Sequence, residues 1–339
     1  MTSEPAAALP IAFGDVEAAA SRLRSERVRT ELMVSRALNE AVGARVYVKP
    51  ECLQRTGSFK FRGAFNRLAM MDDDARARGI VATSSGNHAQ GIAEAAHHFC
   101  VPATIVMPTD APELKKTRTR RAGADIVPYD RATDDRFAIA ETIVAQSGGT
   151  FVSPYDDAGV MAGQGTVGLE IAHDLTALGT VPDAVLVPTS GGGLLSGIAT
   201  VFRHLVPGAE VMPAEPEGFD DTTRSLVSGA RQKNAQKTGS IADALMSEQP
   251  GLLTFAVNRT FAKPGFAVSD EAMMAAMAFA ARELKLVVEP GGASALAAVL
   301  ANREIFAGRT VVVVLSGGNV EPSVLAKALA LELRGDLPN

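Results

Sequence analysis

The sequence predicts an α/β fold with two open, twisted, mainly parallel sheets, each flanked by helices. Short apolar segments alternate with helix-like segments along almost the whole chain, which is typical of parallel strands joined by helices. The length of 339 residues exceeds one small core and is sufficient for two domains. Four predicted strands end in Gly, Ser or Asn, and ligands of such sheets bind beyond the carboxyl ends of the strands.

The strands and helices follow one another in a regular order. The predicted strands are residues 45–48, 79–83, 103–107, 125–127, 184–187, 210–213 and 309–315, the last of which is strongly apolar. The predicted helices are residues 57–71, an Ala-rich segment after residue 88, and residues 113–122, 134–146, 165–178 and 269–284. Residues 269–284 carry apolar side chains at helical spacing, which indicates an amphipathic helix.

The composition excludes several classes of function. The chain has 33 basic and 38 acidic residues, a net charge of -5, whereas binding to a nucleic-acid backbone requires a basic surface. No apolar segment reaches the length of a membrane span, and residues 1–8 lack the pattern of a signal peptide. Cys52 and Cys100 are too few for a disulfide framework and lack metal-ligand spacing. We therefore expect a reduced, cytoplasmic protein with neither a nucleic-acid nor a membrane partner.

Lys60 occupies an unusual position, at the start of a predicted helix and directly after a Gly-Ser turn. Cations are disfavoured near helix N-termini, and one functional reason to place a lysine there is that it must lose its proton. A lysine with a lowered pKa in a pocket forms Schiff bases with carbonyl compounds. The alternative is a surface lysine that falls there by chance, and Lys60 alone does not exclude it.

A glycine-rich loop follows another predicted strand and opens a helix. It consists of Ser190, Gly191, Gly192 and Gly193. Glycines allow backbone N–H groups to converge on an anion, and the helix start adds a favourable field. The alternative is a tight strand-to-helix turn, but three consecutive glycines exceed what such a turn requires. We therefore predict a phosphate-binding loop.

Two further strand ends carry polar residues, at residues 84–88 (Ser-Ser-Gly-Asn-His) and 316–319 (Ser-Gly-Gly-Asn). The first offers hydroxyl, amide and N–H groups that can hold a carboxylate, although a lone histidine such as His88 is more often structural. Residues 163–168 match the dinucleotide pattern GxGxxG, but no convincing strand precedes them and no acidic residue at a later strand end suits a ribose. We therefore reject a nicotinamide site.

Six motifs together resemble the fold-type II pyridoxal-phosphate enzymes, in the branch of threonine and serine dehydratases and serine racemases. The motifs are residues 58–64 (SFKFRGA), 84–88 (SSGNH), 162–166 (AGQGT), the glycine loop, 289–290 (EP) and 316–319 (SGGN). The resemblance extends over nearly the whole chain and implies a fold similar to the tryptophan synthase β-subunit. We predict a large cofactor-binding domain of residues 1–60 plus 158–339 and a small substrate-closing domain of residues 61–157.

The resemblance implies a site for pyridoxal 5'-phosphate, in which Lys60 binds the cofactor as a Schiff base. Ser190 replaces the first glycine of the common phosphate loop, and its hydroxyl can still donate. Ser316 would contact the pyridine nitrogen, which favours elimination and racemisation because an alcohol does not force that nitrogen to be protonated. The residues that the resemblance assigns to the cofactor are Phe59, Lys60, Asn87, Ser190, Gly191, Gly192, Gly193, Leu194, Glu289 and Ser316.

The resemblance also implies a substrate site, in which freed Lys60 removes the α-proton as general base. The residues that it assigns to the substrate are Ser84, Ser85, Asn87, His88 and Arg136. Ser85 lies where racemase-like relatives carry a second catalytic base on the opposite face of the ring. Arg136 lies where relatives carry an arginine that reaches the active site, and it would suit a second carboxylate; the alternative is a surface helix residue.

A divalent-cation loop is implied at residues 215–221. Glu215 and Asp221 would donate carboxylates and Phe219 its backbone carbonyl, and such hard oxygen ligands suit Mg²⁺ or Ca²⁺. The alternative is a solvated acidic loop. A homodimer is expected from the resemblance alone.

The predicted function is a pyridoxal-phosphate-dependent dehydratase, or ammonia-lyase. It would convert a β-hydroxy-α-amino acid of the threonine, serine, 3-hydroxyaspartate or phenylserine type to a 2-oxo acid plus ammonia. The main alternative is a serine- or aspartate-type racemase that uses the same site. A non-catalytic small-molecule-binding protein on this fold is a further alternative, which the intact Lys60 disfavours. We expect no regulatory domain of the kind fused to biosynthetic threonine dehydratases.

Overall fold

The computed structural model describes residues 8–84, 86–111 and 113–331. Its strands are β1 (Met33–Val34), β2 (Arg45–Lys49), β3 (Ile80–Thr83), β4 (Ala103–Pro108), β5 (Asp125–Tyr129), β6 (Thr150–Phe151), β7 (Ala184–Pro188), β8 (Glu210–Pro216), β9 (Phe266–Val268) and β10 (Thr310–Val314). Its helices are α1 (Phe13–Arg22), α2 (Arg36–Val42), α3 (Lys60–Ala69), α4 (Asp73–Arg78), α5 (Asn87–Phe99), α6 (Glu113–Arg121), α7 (Arg136–Ser147), α8 (Ala158–Ala177), α9 (Gly193–Leu205), α10 (Asp221–Ser228), α11 (Leu252–Phe261), α12 (Asp270–Phe279), α13 (Ser294–Ala301), α14 (Arg303–Phe306) and α15 (Pro322–Leu329).

The larger sheet has six strands in the order β1-β2-β10-β7-β8-β9. The edge strand β1 is antiparallel to β2, and the other neighbouring strands are parallel. In the interior strand β10, Val312 pairs with Tyr47 on one side and with Val185 on the other. Residues 311–314 of β10 are all buried, as expected for a parallel strand that is covered on both faces.

The smaller sheet has four strands in the order β5-β4-β3-β6, and all of its pairings are parallel. These strands lie between residues 80 and 151, inside the segment predicted to form the small domain, although the domain boundaries themselves stay a prediction. Two mostly parallel sheets with flanking helices confirm the predicted fold class. None of the helices in the described ranges is both long and apolar enough to cross a membrane.

The GxGxxG segment at residues 163–168 lies inside the buried helix α8 and is not a loop between a strand and a helix. Its glycines allow neighbouring helices to approach closely. A Cβ added at Gly163 would lie 2.6 Å from the Arg62 carbonyl oxygen, and one added at Gly168 would lie 3.0 Å from the Cα of Ile198. The small residues therefore determine how α8 packs against α3 and α9.

Three predicted helices have different limits in the structure. The helix predicted from residue 57 begins at Lys60, because Arg55–Gly57 form a 3₁₀ turn and Ser58 pairs with Gly317 as an isolated bridge. The helix predicted at residues 165–178 begins earlier, at Ala158. The helix predicted at residues 269–284 ends at Phe279 and continues as a short π-helix. A tertiary pairing, that of Ser58 with Gly317, coincides with the first of these limits, whereas the start of α8 has a local cap, because the Asp157 side chain accepts from the Val160 N–H at 2.9 Å.

A buried ion cluster joins α3 to the larger sheet and to α8. Arg62, fully buried, donates to Glu51 at 2.7 Å and to Glu170 at 2.9 Å. Lys49 on β2 donates to Glu170 at 2.6 Å. Burial by itself raises the pKa of Glu170, but Arg62 and Lys49 lower it to about 2. The cluster therefore holds α3, whose first residue is Lys60, through paired charges.

Candidate active site

A cavity of about 150 Å³ lies at the carboxyl ends of strands from both sheets. Its lining includes loops that follow β2, β3, β7 and β10. Because parallel strands present their carboxyl ends at one edge of a sheet, polar residues far apart in sequence meet there. The predicted site residues that line this cavity are Phe59, Lys60, Ser84, Asn87, His88, Arg136, Ser190, Gly191, Gly192, Gly193, Leu194, Glu289 and Ser316.

Lys60 presents its amine to this cavity from the first turn of α3. Its Nζ donates a hydrogen bond to the backbone carbonyl of Pro154 at 2.7 Å and lies 5.1 Å from the centre of the Phe59 ring. Burial lowers the pKa of Lys60 to about 8. A substantial fraction of this lysine is therefore neutral near physiological pH, and the neutral amine is the form that reacts with a carbonyl group.

The glycine loop has no room for side chains. A Cβ at Gly191 would lie 2.3 Å from the ring of Tyr155, and Gly192 has a φ of +93° that side chains rarely adopt. Helix α9 begins at Gly193, so the loop ends at a helix N-terminus with its favourable field for anions. This backbone-lined cradle fits a phosphate group.

Ser190, which stands in the place of the usual first glycine, has a specific partner. Its hydroxyl contacts the hydroxyl of Ser247 and accepts a hydrogen bond from the Ser247 N–H at 3.1 Å. Thr222 Oγ1 donates to the Ser190 carbonyl at 3.1 Å. The serine therefore connects the glycine loop to residues 243–247, which line the same cavity.

Asn87 and Glu289 form the polar core of the site. Asn87 Nδ2 donates to Glu289 Oε1 at 2.5 Å, and Asn319 Nδ2 donates to Asn87 Oδ1 at 2.8 Å. Burial raises the pKa of Glu289 to about 7; Lys115 opposes this shift and Asp243 adds to it. The second oxygen of Glu289 is buried and has no partner within the described ranges, so this pocket can accept a further hydrogen-bond donor or hold a protonated carboxyl.

The residues predicted for the substrate are only partly brought together. Ser84 accepts a hydrogen bond from the Gly86 N–H at 3.1 Å. His88 Nε2 is 3.1 Å from the Val152 carbonyl, and burial lowers the pKa of His88 to about 3. A neutral imidazole that donates through Nε2 has an acceptor at Nδ1, so this ring is not a cation for a carboxylate. Ser85 lies outside the described residues.

Arg136 begins helix α7 and reaches the cavity lining. It is half-buried, and its guanidinium lies 4.8 Å from the centre of the Phe137 ring. This placement agrees with a role in the site, and that role stays a prediction. Arg136 supplies a permanent positive charge on the side of the cavity formed by the smaller sheet and its helices.

Lys115, Tyr155, Asp243 and Ser247 also line the cavity. No sequence motif identified Lys115 or Ser247 as a site residue, and the loops with Tyr155 and Asp243 were expected to contribute to the pocket but could not be placed. Tyr155 lies in a loop between β6 and α8, and Asp243 in a 3₁₀ turn between α10 and α11. Long connections of this kind have no periodicity to analyse. The one available signal was the set of lysines and arginines in residues 113–122, which predicted a basic helix but not its orientation.

The three predicted cation ligands Glu215, Phe219 and Asp221 are not part of the lining of this cavity. Glu215 accepts from the Thr222 and Thr223 N–H groups at 2.9 and 2.8 Å, and Asp221 accepts from Asn234 at 2.6 Å. Burial raises the pKa of Glu215 to about 8 and that of Asp221 to about 7. In the part of the chain that the structure describes, no three His, Cys, Asp or Glu side chains are grouped to hold a metal ion.

Residues 23–317 match the model of a family described as pyridoxal-phosphate dependent enzyme. The chain belongs to this family. It is 42% identical to L-threo-3-hydroxyaspartate ammonia-lyase of Saccharomyces cerevisiae, with 91% of this chain and 93% of that protein covered. It is 43% identical to the protein of the same name from Pseudomonas sp, with 94% and 98% covered. The crystal structure of a threonine deaminase from T.th. matches with a TM-score of 0.87 at 39% identity, with 92% and 99% covered.

For this pyridoxal-phosphate-dependent enzyme, the predicted family, fold class and lyase activity are confirmed. The relatives named above are ammonia-lyases or deaminases, and proteins named serine racemase are also similar to the chain. The cavity fits the cofactor of the family on its own geometry, because it combines a buried lysine of lowered pKa with a glycine cradle that excludes side chains.

Proposed function

We propose that the chain is an ammonia-lyase for a dicarboxylic β-hydroxy amino acid of the 3-hydroxyaspartate type. The single observation that carries this proposal is that Arg136 lines the same cavity as Lys60. A guanidinium binds a carboxylate through two parallel hydrogen bonds. The names of the Saccharomyces cerevisiae and Pseudomonas sp relatives agree with such a substrate.

Pyridoxal phosphate would be held by residues from four loops. Lys60 would bind its carbonyl carbon, the loop from Ser190 to Leu194 its phosphate, Asn87 its phenolic oxygen and Ser316 its ring nitrogen. Phe59 and Glu289 would complete the walls of this site. When bound, the cofactor withdraws electrons from the substrate Cα and so makes the α-proton acidic.

Lys60 would act as the general base on the substrate. Its pKa of about 8 allows the amine to accept the α-proton near neutral pH and to release it later. The Pro154 carbonyl, which accepts from Nζ at 2.7 Å, would orient the amine towards the cavity. Loss of the α-proton and of the β-hydroxyl as water leaves an enamine, which takes up water and releases ammonia and the 2-oxo acid.

The two carboxylates of the substrate would bind on opposite sides of the reacting carbon. The loop that contains Ser84 and Asn87 would bind the α-carboxylate with hydroxyl, amide and backbone N–H groups. Arg136 would bind the side-chain carboxylate. This arrangement fixes the Cα–H bond relative to Lys60, because two anchored ends leave one orientation of the substrate.

Racemisation is the second candidate activity, and similarity to proteins named serine racemase favours it. It requires a second base on the face opposite Lys60, and Ser85 is the residue proposed for that role. Product analysis separates the two activities, because an ammonia-lyase releases a 2-oxo acid and a racemase releases the opposite enantiomer.

The test of the proposed function is 2-oxo acid release from 3-hydroxyaspartate, threonine, serine and phenylserine by the cofactor-loaded enzyme. We expect 3-hydroxyaspartate to have the highest kcat/KM. Arg136→Met should lower kcat/KM on 3-hydroxyaspartate by about tenfold to a hundredfold, the value of a hydrogen-bonded charge, and should change serine turnover little. Lys60→Ala should abolish both the activity and the cofactor absorbance. Equal losses on both substrates for Arg136→Met would contradict the proposal.

Three finer predictions stay proposals. A divalent cation would be bound by the Glu215 and Asp221 carboxylates and the Phe219 backbone carbonyl, and Asp221 Oδ2 is buried without a partner among the described residues. Its oxygen ligands would suit Mg²⁺ or Ca²⁺, and added cation should raise the melting temperature of the protein. A homodimer and a cytoplasmic location are testable by sedimentation and by fractionation of the source cells.

A further inference from the structure

Lys115 is a second lysine in the cavity, and no step of the proposed reaction uses it. It lies on helix α6, and its side chain is only 6% exposed. It lines the cavity together with Lys60 and Arg136. An enclosed ammonium of this kind requires an anionic partner, because an unpaired buried charge is costly.

The amine of Lys115 lies against the loop proposed to bind the α-carboxylate. An ideal Cβ placed on Gly86 would be 3.3 Å from Lys115 Nζ. Gly86 stands between Ser84 and Asn87, the residues that offer hydroxyl and amide groups to the same carboxylate. The ammonium therefore adds a full positive charge to a loop that otherwise offers neutral donors.

The anionic partner of Lys115 comes from another part of the fold. Lys115 Nζ donates to Asp243 Oδ2 at 2.7 Å, and this bond joins α6 to the 3₁₀ turn Asp243–Leu245. The Asp243 side chain is 40% exposed. Lys115 and Asp243 thus differ in exposure. The Lys115 ammonium is enclosed, whereas the Asp243 carboxylate can turn towards solvent.

We propose that Lys115 binds the α-carboxylate of the substrate, and that Asp243 is an internal competitor that holds the ammonium until the substrate displaces it. The exchange of one carboxylate for another keeps the enclosed ammonium paired throughout. This inference rests on the proposed function only in requiring an amino-acid substrate at this site. It gives Lys115 and Arg136 different roles, since Lys115 would recognise the carboxylate common to all amino acids and Arg136 the side chain.

The test compares Lys115→Met, Asp243→Asn and the control Lys116→Met on 3-hydroxyaspartate and on serine. Lys116→Met makes the same chemical change one residue away. The amine of Lys116 donates to the Thr109 carbonyl at 2.7 Å and not to Asp243. We expect Lys115→Met to raise KM for both substrates by about tenfold to a hundredfold, the value of a charge-assisted hydrogen bond. Asp243→Asn should lower KM severalfold because the competitor is weakened, and Lys116→Met should change neither.

Two results would overturn the inference. A KM for Lys115→Met that equals that of Lys116→Met would show that the ammonium does not bind substrate. An increase in KM for Asp243→Asn, parallel to that of Lys115→Met, would show a purely structural ion pair. The Asp243→Asn result stands even if Lys115→Met fails to fold, because it leaves Lys115 in place.

Failure of the proposed function gives a different pattern. If the enzyme has no preference for a dicarboxylic substrate, only the Arg136→Met comparison fails. The Lys115 comparison can then be made on any amino acid, including L-aspartate, which has no β-hydroxyl to lose. Its binding can be followed by the change in absorbance of the bound cofactor.

Discussion

The Nζ of Lys60 donates to the Pro154 carbonyl at 2.7 Å, a contact that holds the amine at one point of the cavity. Burial supplies the lowered pKa of about 8, since an enclosed ammonium loses hydration that the neutral amine does not need. At the scale of single residues, the reactivity of the Lys60 amine therefore depends mainly on its buried position in the fold. The residues next to Lys60 in the sequence matter less.

Substitution of Gly191 tests whether the glycine loop binds the phosphate group. Alanine at this position would place a Cβ 2.3 Å from the Tyr155 ring, so the loop or the ring must move. We expect Gly191→Ala to weaken cofactor binding by at least about tenfold, equivalent to about 1.4 kcal/mol, as measured by absorbance titration. Gly208→Ala is the matched control, because no atom lies within 4 Å of its Cβ position. Unchanged affinity in Gly191→Ala would remove the loop from the phosphate site.

The raised pKa of Glu289 predicts how the stability of the protein depends on pH. This pKa is raised by burial to about 7 from an ordinary value of 4.5. A group whose pKa is higher in the folded than in the unfolded state stabilises the fold fully below the unfolded pKa, and this contribution is lost as pH rises through the folded pKa. As the pH rises from 4.5 to 7, the free energy of unfolding of the cofactor-free wild type should therefore fall. The Glu289→Gln variant lacks this carboxyl and should not show this decrease.

The size of this effect is on the order of 2–3 kcal/mol. Urea unfolding of the cofactor-free wild type and of Glu289→Gln at pH 5 and pH 8 measures it. The difference between the two proteins isolates this carboxyl from the others that titrate in the same range. A difference in unfolding free energy that is independent of pH would show that Glu289 has an ordinary pKa.

At the scale of secondary-structure elements, α8 is the helix around which the site is assembled. It contacts α3, which begins at Lys60, and α9, which begins at the end of the glycine loop. Its small residues at these contacts leave no room for a methyl group. The close approach of the three helices thus places the lysine and the phosphate cradle on the same cavity.

Gly163 provides the test of this packing. An added Cβ would lie 2.6 Å from the Arg62 carbonyl oxygen and from the Cα of Gly63, and backbone atoms cannot move aside cheaply. We expect Gly163→Ala to lower the free energy of unfolding by about 2–4 kcal/mol. The exposed helical Gly14, which has no atom within 4 Å of its Cβ position, is the control, and Gly14→Ala should stabilise by about 0.5–1 kcal/mol.

Denaturant unfolding of both variants measures these two changes. The two variants make the same Gly→Ala change in a helix, but the expected changes in the free energy of unfolding have opposite signs. The comparison therefore separates the effect of close packing from the effect of the substitution itself. A Gly163→Ala variant as stable as Gly14→Ala would mean that α8 and α3 are further apart than the structure shows.

The buried ion cluster gives a second test at this scale. Glu170 pairs with both Arg62 and Lys49, so removal of its charge leaves two buried cations with one carboxylate fewer. We expect Glu170→Gln to destabilise the protein by about 3–5 kcal/mol. The exposed pair of Arg36 and Glu40 supplies the control, and Glu40→Gln should leave the unfolding free energy almost unchanged, because solvent screens this pair. A small effect of Glu170→Gln would show that water reaches the cluster.

At the scale of the whole molecule, the cavity is built by both sheets together. Ser84 and Arg136 come from the part of the chain that forms the smaller sheet, whereas Ser190 and Ser316 follow strands of the larger sheet. A cofactor and substrate that contact both parts are stabilised only in the folded arrangement. Their binding must therefore favour the arrangement in which the two sheets face one cavity.

Cofactor removal tests this relation. Since a ligand that binds only the folded state stabilises it by mass action, the loaded enzyme should gain about 2.7 kcal/mol at a free cofactor concentration of 100 Kd. We expect a melting temperature that rises with added pyridoxal phosphate in the wild type and much less in Lys60→Ala. A melting temperature of the wild type that does not depend on cofactor concentration would contradict binding at this site.

The sequence by itself predicted the alternation of strands and helices, the glycine loop at the start of a helix, the position of Lys60 near the start of another helix and the lack of a strand before the GxGxxG segment. These features are local, because hydrophobic period, turn residues and the residues after a strand are determined over a few positions. It also predicted that Asn87, Glu289 and Ser316 share one site, although this depended on resemblance to a family rather than on their spacing.

Only the tertiary structure decided which loops complete the cavity. Lys115 and Asp243 are 128 residues apart, and Ser190 meets Ser247 through a loop with no periodic pattern. Such contacts depend on the packing of α6 and of the 243–247 segment against the sheets, which no local pattern specifies. The sequence favoured a lowered pKa for Lys60, whereas the raised pKa of Glu289 was beyond prediction, because burial, its main cause, exists only once the chain has folded.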